Sequence, residues 1–484
     1  MSSYFSDFFK VSKKSLDDYG AFNISLITDL PLFIDPFLLF HSKNKDYQEL
    51  HAGMIRYLEF LRDKSISQDI TPGLLLAWYH FPEVKQNWLG FTLEGNSGRG
   101  LGQEFAKMLD SSLSRIFSSF GKESVTKGTH LEKLCLIKNG VGRDTISDFT
   151  TNLIKDYLLK YTQIFTEKYI EPSLTKTMSV QKVRFDYETE RWESDNFILP
   201  FYRNTYVLLT PKNILTKEDV WINRKDYLHD FWEIREAVFN TQLREELDNY
   251  LKLVLSKNPK SQEYDRVAAD FTYKHPEIID LFIRSKEDRG DKAIERSAAY
   301  VADSQQLYIE QFNNLVQLLN INSLFYAMIG DTVTEAYQRI TFLKDVVENK
   351  GGWKLFYVNG QPVRKEEDIQ IAYRLTWFRT LSDVSREVND GRGPADFKIS
   401  RGSVDKTIVE FKLASNPQLR QNLQNQVEIY KKASDVKIGF KVIFYFSDAE
   451  SKRIQDLLVE LELTKDPYII QVDARKKESA SKVK

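Results

Sequence analysis

Two acidic residues and a lysine near the C-terminus have the types and spacing that metal-dependent chemistry requires. Asp396 is followed, after thirteen intervening residues, by the triplet Glu410-Phe411-Lys412. Side chains alternate between the two faces of a strand, so Glu410 and Lys412 point the same way if the triplet is extended. A turn over 400–405 would pair this strand with that of Asp396, and two carboxylates and one ammonium group could then meet at one edge of a sheet.

These three groups suit hydrolysis assisted by a divalent cation. Carboxylate oxygens match a hard ion such as Mg²⁺, which keeps several waters and binds through one or two carboxylates together with phosphate. The metal lowers the pKa of its water and stabilises the charge of the transition state. Lys412 could position or deprotonate that water, or hold the scissile phosphate. Burial lowers the pKa of a lysine and nearby carboxylates raise it, and the sequence leaves open which effect is larger.

The ordinary alternative is a solvated strand face, because an acidic residue two positions before a lysine is common on strands. The neighbouring residues favour a functional interpretation. Val409 and Phe411 are suited to a buried face and alternate with Glu410 and Lys412. A predicted helix carrying Gln426 follows.

The last 125 residues or so predict the elements that would position these groups. Asn416 is the predicted N-cap of the second helix, with Pro417 at its first position. The order is αβββαβ followed by αβ. The predicted elements are a helix over 366–380, strands over 383–388, 395–399 and 406–413, a helix over 419–433, a strand over 440–446, a helix over 449–461 and a strand over 468–472.

Over residues 353–475, the sequence resembles the PD-(D/E)XK nuclease superfamily, which has the restriction-endonuclease-like fold. The resemblance rests on Asp396 and Glu410-x-Lys412 within the αβββαβ order. It implies that Asp396 and Glu410 bind Mg²⁺, with Mn²⁺ as an alternative, and that Lys412 is the catalytic lysine. In this family a proline often directly precedes the aspartate, whereas Ala395 here separates Pro394 from Asp396. That proline is not a ligand.

The resemblance also implies further site residues. Many members add an acidic ligand on the first helix, and Glu366 or Glu367 would match it. Some add a glutamine on the helix after the lysine strand, where Gln426 lies. Glu387 is another candidate ligand, although an exposed strand pair with Arg386 explains it somewhat better.

Basic residues near the site are candidates for phosphate contacts. Arg392 and Lys398 flank Asp396, and cationic side chains make most of the sequence-independent contacts to nucleic acid. Residues 391–484 contain 18 Lys and Arg against 13 Asp and Glu, although the whole chain has a net charge of −1. This mild basic bias suits a phosphate-binding surface, and an ordinary solvated surface explains it equally well.

Composition excludes several other chemistries. The chain of 484 residues has one cysteine, Cys135, so it can form neither an intrachain disulfide nor a multi-thiolate zinc site. The last of its six histidines is His275, which excludes His-metal sites and Ser-His or Cys-His triads near the C-terminus. A single thiol, no visible signal peptide and no membrane-spanning stretch predict a cytoplasmic protein with no membrane partner.

The patterns predict a multidomain α+β protein. A mainly helical N-terminal domain over 1–180 precedes a middle region over 181–350, in which short strands lead into helices. The α/β restriction-endonuclease-like domain, with its αβββαβ core, covers 351–484.

The expected function is that of a metal-dependent endonuclease acting on nucleic acid, with DNA as the favoured substrate. The resemblance suggests prokaryotic antiviral defence, with the upstream region sensing a protein or phage-derived trigger or restraining the nuclease. A homo-oligomer is compatible with this expectation. The alternative is an inactive nucleic-acid- or protein-binding scaffold, although intact Asp396, Glu410 and Lys412 argue against a decayed site.

Overall fold

The protein is described by a computed structural model that covers residues 4–27, 29–90, 101–118, 120–137, 141–236, 241–254, 261–312, 315, 330–377, 380, 382–389, 394–402, 404–426, 436 and 438–477. Helices dominate the upstream part, and a five-stranded sheet lies near the C-terminus. Within these ranges, no helix has both the length and the apolar character needed to cross a bilayer.

The N-terminal part consists of amphipathic helices around a shared core. Over 146–170, where apolar residues recur at three- and four-residue spacing, the chain forms two helices with Ile154 between them. In chain order the elements are α1 (Phe5–Phe8), α2 (Lys13–Tyr19), β1 (Phe33–Ile34), α3 (Pro36–Phe40), α4 (Lys45–Ser67), α5 (Pro72–Leu74), α6 (Gln103–Arg115), α7 (Lys133–Ile137), α8 (Arg143–Leu153) and α9 (Lys155–Tyr169).

A long antiparallel hairpin follows, formed by β2 (Thr175–Asp186) and β3 (Arg191–Tyr202). These strands begin before the predicted boundary at 181 and are longer than the short strands that the sequence suggested. Many of their outward-facing residues are polar or charged, which weakens the strand signal. The short strand β4 (Thr205–Tyr206) extends the hairpin sheet, and β5 (Leu215–Thr216) pairs with β1.

After these strands the middle region is helical, as predicted. The polar, charged stretch over 285–292 interrupts the helices only at Asp288 and Arg289, and the similar stretch over 256–260 lies outside the described residues. The helices are α10 (Arg224–Glu236), α11 (Thr241–Val254), α12 (Ser261–Lys274), α13 (Ile278–Glu287), α14 (Gly290–Ser304), which continues into a π-helical turn over Gln305–Gln311, and α15 (Thr332–Asn349).

A tight hairpin leads into the C-terminal part. It joins β6 (Tyr357–Val358) to β7 (Gln361–Pro362) through Asn359 and Gly360. Both loop residues have positive φ, 49° and 74°, as a two-residue hairpin loop requires. The Asn-Gly pair therefore forms the type of turn that these residue types favour.

The C-terminal part contains a mixed sheet with strand order β12-β11-β10-β9-β8. Strands β8, β9 and β10 are antiparallel, whereas β10, β11 and β12 are parallel. The predicted order of elements is observed, although the first helix ends at Leu375 instead of residue 380. The elements are α16 (Glu366–Leu375), β8 (Asp383–Asn389), β9 (Pro394–Arg401), β10 (Asp405–Leu413), α17 (Leu419–Gln421), which continues into a π-helical turn over Asn422–Gln426, β11 (Ile438–Tyr445), α18 (Asp448–Glu460) and β12 (Ile469–Asp473).

Apolar side chains cover both faces of this sheet. On one face, Phe411 packs against Tyr373 of α16 and Phe397 of β9, within a core that is continuous with the N-terminal part. On the other face, Ile443 packs with residues of α17 and α18. Helix α15 also packs on the sheet, so the layer that covers it begins at Thr332, upstream of the predicted boundary at 351.

Candidate active site

Asp396 and Glu410 are held together where strands β9 and β10 diverge. The regular pairing of the two strands ends at Val409 opposite Phe397. Beyond it, the Asp396 backbone N–H donates to Glu410 Oε1 at 3.1 Å, and the Phe411 N–H donates to Asp396 Oδ2 at 2.6 Å. The two carboxylates thus replace ladder hydrogen bonds, and both are fixed by backbone on the same face of the sheet.

Lys412 lies among three carboxylates. Its Nζ is 3.2 Å from Glu410 Oε2, 3.2 Å from Glu366 Oε2 and 3.8 Å from Asp396 Oδ2. The Lys412 side chain is 9% exposed and that of Glu410 only 1%. The predicted meeting of Asp396, Glu410 and Lys412 is therefore observed, and Glu366 joins them.

Glu366 reaches the cluster from the first position of α16. Its Oε2 contacts Lys412, and its Oε1 accepts hydrogen bonds from the Leu413 N–H at 3.2 Å and from Asn416 Nδ2 at 2.9 Å. The glutamate thus connects α16 to the end of the central strand β10.

The cluster shifts the pKa values of its members. Burial, with a further contribution from the Asp396 carboxylate, raises the pKa of Glu410 to about 8, against the opposing effect of Lys412. Burial alone would lower the pKa of Lys412, but Asp396, Glu410 and Glu366 together raise it. The question that the sequence left open is thereby answered in favour of the carboxylates, and Lys412 is an ammonium group at neutral pH.

The donor chemistry of the cluster fits a hard divalent cation. Its ligand atoms are carboxylate oxygens, which suit Mg²⁺ and Mn²⁺, and three carboxyl groups face one ammonium group. In the part of the chain that the structure describes, no group of three or more His, Cys, Asp or Glu side chains is arranged to hold a metal ion. Lys412 Nζ lies among the three carboxyl groups, so metal coordination would require the ammonium to move aside.

The structure distinguishes between the candidates on the first helix. Glu367 points away from the cluster and lies 3.6 Å from the guanidinium of Arg143, in the N-terminal part. Glu366, not Glu367, is therefore the residue of that turn that the fold brings to Lys412.

The remaining predicted residues are only partly described. Lys398 lies two residues after Asp396 on β9, on the same face, and is half-buried. Gln426 ends the π-helical turn after α17, and Glu387 lies on β8, but the side chains of both are outside the described set. Arg392 lies outside the described residues altogether.

Asn416 and Lys441 are neighbours of the site that the sequence did not identify as such. Helix α17 begins at Leu419, so Asn416 is not its N-cap; its side chain binds Glu366 and also accepts from the Gln418 N–H. Lys441 lies opposite Glu410 in the parallel pairing of β10 and β11, and its Nζ donates to the Leu423 carbonyl at 2.5 Å. Lys441 is the one charged residue in the apolar run 440–446, and this exceptional position could have identified it from the sequence.

Comparison with known proteins identifies two stretches of the chain. Residues 10–223 match a family described as a domain of unknown function, DUF8370, and residues 332–448 match a second, DUF8371. The second stretch begins with α15 and contains Glu366, Asp396, Glu410 and Lys412. No curated protein and no solved structure matches the chain.

Proposed function

We propose that the chain is an endonuclease that hydrolyses phosphodiester bonds of DNA with the help of Mg²⁺ or Mn²⁺. One observation carries the proposal: the carboxyl groups of Glu366, Asp396 and Glu410 surround the Lys412 ammonium beside the central strand of a mixed sheet. The residue types, their spacing and the αβββαβ order resemble those of the PD-(D/E)XK nucleases, and this resemblance supports the proposal. The restriction-endonuclease-like fold is therefore part of the proposal.

The residues of the cluster have distinct roles in this proposal. Asp396, Glu410 and Glu366 would hold the cation, which, when bound, supplies an activated water and stabilises negative charge on the phosphate. Backbone N–H groups and Asn416 keep these carboxylates oriented before substrate arrives. Lys412 is protonated, so it serves by contacting a phosphate oxygen or orienting the water and not as a general base.

The proposed substrate, location and biological role rest on the family resemblance and on the basic surplus of the C-terminal residues. The basic surplus over 391–484 suits a phosphate backbone, and DNA is the favoured substrate because the resembled family mostly cuts DNA. A cytoplasmic location and a role in defence against foreign DNA, with the upstream part sensing a protein or phage-derived trigger, complete the proposal.

Plasmid cleavage with purified protein in Mg²⁺, in Mn²⁺ and in EDTA tests this function. Wild type should nick or linearise the plasmid only with metal. Asp396→Asn, Glu410→Gln and Lys412→Met should each abolish most cleavage, and the triple variant should be little worse, because groups that act as a unit are strongly non-additive. Matched changes on the outer face of α18, Asp456→Asn and Lys452→Met, should cut like wild type, since both residues are exposed.

Binding separates the nuclease from the scaffold alternative. In a mobility-shift titration with Ca²⁺, Asp396→Asn should bind DNA at least as tightly as wild type, because one negative charge near the phosphates is removed. Full cleavage by Asp396→Asn or Lys412→Met would show that the chemistry lies elsewhere. Wild-type DNA binding without cleavage in any metal would favour the scaffold, and cleavage of RNA alone would change the substrate.

A further inference from the structure

The first turn of α16 is held by residues from far upstream. Asp368, two residues after Glu366, is 2% exposed. Its Oδ1 accepts hydrogen bonds from the Tyr308 hydroxyl at 2.5 Å and from Lys217 Nζ at 2.9 Å. The Lys217 ammonium also lies 5.0 Å from the centre of the Tyr308 ring, so the three groups form one compact contact.

Two ion pairs flank this contact. Lys365 lies 3.4 Å from Glu218, and Glu367 lies 3.6 Å from Arg143. Of the four consecutive residues from 365 to 368, three are thus bound by the upstream part, and only Glu366 turns to the candidate active site. The contact between Lys217 and Asp368 also joins the two stretches that match separate families.

No capping side chain fixes this turn. Lys365 occupies the N-cap position and makes no side-chain cap hydrogen bond, and the Asp368 N–H donates to the Lys365 carbonyl at 3.2 Å. The contacts of Asp368 are a buried polar restraint on the turn that carries Glu366. A rotation or fraying of this turn would withdraw the Glu366 carboxylate from Lys412 and from the end of β10.

We propose that Lys217 and Tyr308 are positioning residues for the metal site, acting through Asp368 on Glu366. The inference rests on the proposed function and deepens it, because it identifies where the upstream part acts on the site. Lys217 follows β5, and Tyr308 lies in the π-helical turn after α14, where Tyr4 hydrogen-bonds its backbone carbonyl. A partner or ligand that displaces either segment should therefore change the affinity for the metal, while the affinity for DNA stays the same.

The variants Lys217→Met and Tyr308→Phe test this inference in the full-length protein. Groups that orient metal ligands typically change metal affinity by about 10- to 100-fold when removed. Both variants should therefore raise the Mn²⁺ concentration for half-maximal cleavage at least about 10-fold, and the Mn²⁺ Kd measured by calorimetry without DNA should rise in parallel. Cleavage at saturating Mn²⁺ and DNA affinity in Ca²⁺ should stay near wild type, and Lys217→Arg should restore most of the metal affinity.

A double-mutant comparison distinguishes positioning from a merely structural contact. Since Lys217 is proposed to act through Glu366, adding Lys217→Met to Glu366→Gln should weaken Mn²⁺ binding little further. The matched control is Lys64→Met, because Lys64 also pairs with a carboxylate, at 2.7 Å from Glu190, and lies over an aromatic ring. It should leave the Mn²⁺ dependence unchanged.

Three results would overturn the inference. If Lys217→Met and Tyr308→Phe lower only the melting temperature while metal dependence is unchanged, the contact is structural, and the nuclease proposal stands. Additive losses of Mn²⁺ affinity in the double variant would show that Lys217 does not act through Glu366. If wild type neither binds Mn²⁺ nor cleaves DNA, the proposed function itself fails, and the positioning role fails with it.

Discussion

Replacement of Lys412 by methionine removes a charge on which three carboxyl groups converge. Its Nζ lies 3.2 Å from Glu410, 3.2 Å from Glu366 and 3.8 Å from Asp396. Removing one partner of a buried ion pair costs about 3–5 kcal/mol, because the remaining charge stays buried without compensation. Burial already raises the pKa of Glu410 to about 8, so this carboxyl group takes up a proton when the ammonium is removed. Glu366 is 22% exposed, and solvent screens its share. We therefore expect the variant to lose about 2 kcal/mol of unfolding free energy in EDTA, less than a fully charged buried pair would.

The same substitution should have a much smaller effect when Mg²⁺ is present. The cation takes over the charge that the ammonium group supplies, so wild type and Lys412→Met should then differ by less than about 1 kcal/mol, because ligands that bind only the folded state stabilise it. Urea unfolding of both proteins in EDTA and in Mg²⁺ measures the difference. The exposed Lys452→Met provides the control and should be unaffected in either buffer.

Two outcomes of the unfolding experiment would contradict these roles of Lys412 and the metal. An equal loss of stability with and without Mg²⁺ would mean that no metal replaces the ammonium, and the metal site would have to be withdrawn. No loss in EDTA would mean that Lys412 does not hold the carboxyl groups together.

Two further predictions concern Glu410 and Phe411, the neighbours of Lys412 on β10. Burial and then Asp396 raise the folded-state pKa of Glu410 to about 8. The protonated form is therefore favoured by folding, and metal-free stability should fall as pH rises from about 5 to 8, by at most about 1.4 kcal/mol per pH unit. Glu410→Gln should flatten this slope in urea unfolding at a series of pH values, and an unchanged slope would assign it to another group. Phe411→Ala should lose about 3–5 kcal/mol equally in EDTA and Mg²⁺, because the fully buried ring packs on Tyr373 and Phe397; a loss that Mg²⁺ relieves would contradict a purely apolar role.

The C-terminal elements could be predicted because their signals are local. The alternation of Val409 and Phe411 with Glu410 and Lys412 has the period of a strand, and both apolar residues are fully buried as expected. Strand alternation was also enough to place the two charged side chains on one face. Turn residues such as Asn359 are also recognised from the local sequence, and they marked the start of the C-terminal part.

The long hairpin of β2 and β3 was predicted less well. Strands β2 and β3 have twelve residues each, but outward-facing positions such as Lys176 and Glu193 are polar or charged. Such residues have weak strand propensity, and the long hairpin pairing supplies the order that the local sequence does not. The sequence therefore showed strands here but not their length.

The choice between Glu366 and Glu367 could not be made from the sequence at all. Both are in the first turn of α16, and only the rotation of that helix decides which one meets Lys412. Contacts from distant parts of the chain restrain that rotation. Arg143 pairs with Glu367 and lies more than 200 residues upstream, and Lys217 hydrogen-bonds Asp368. The charge state of Lys412 is equally non-local, since one of the carboxyl groups that raise its pKa belongs to that helix.

The candidate site therefore has two parts with different origins. Asp396, Glu410 and Lys412 lie on adjacent strands. Backbone N–H groups of those strands orient the Asp396 and Glu410 carboxyl groups, so this pair assembles when the sheet forms. Glu366 is oriented by contacts at both ends of its turn, to Asn416 in the C-terminal part and, through Asp368, to the upstream part. In the proposed nuclease, a site divided in this way would let the upstream part act on one metal ligand, Glu366, while Asp396 and Glu410 stay in place. Regulation of the proposed nuclease should accordingly appear as a change in metal dependence and not as a loss of DNA binding.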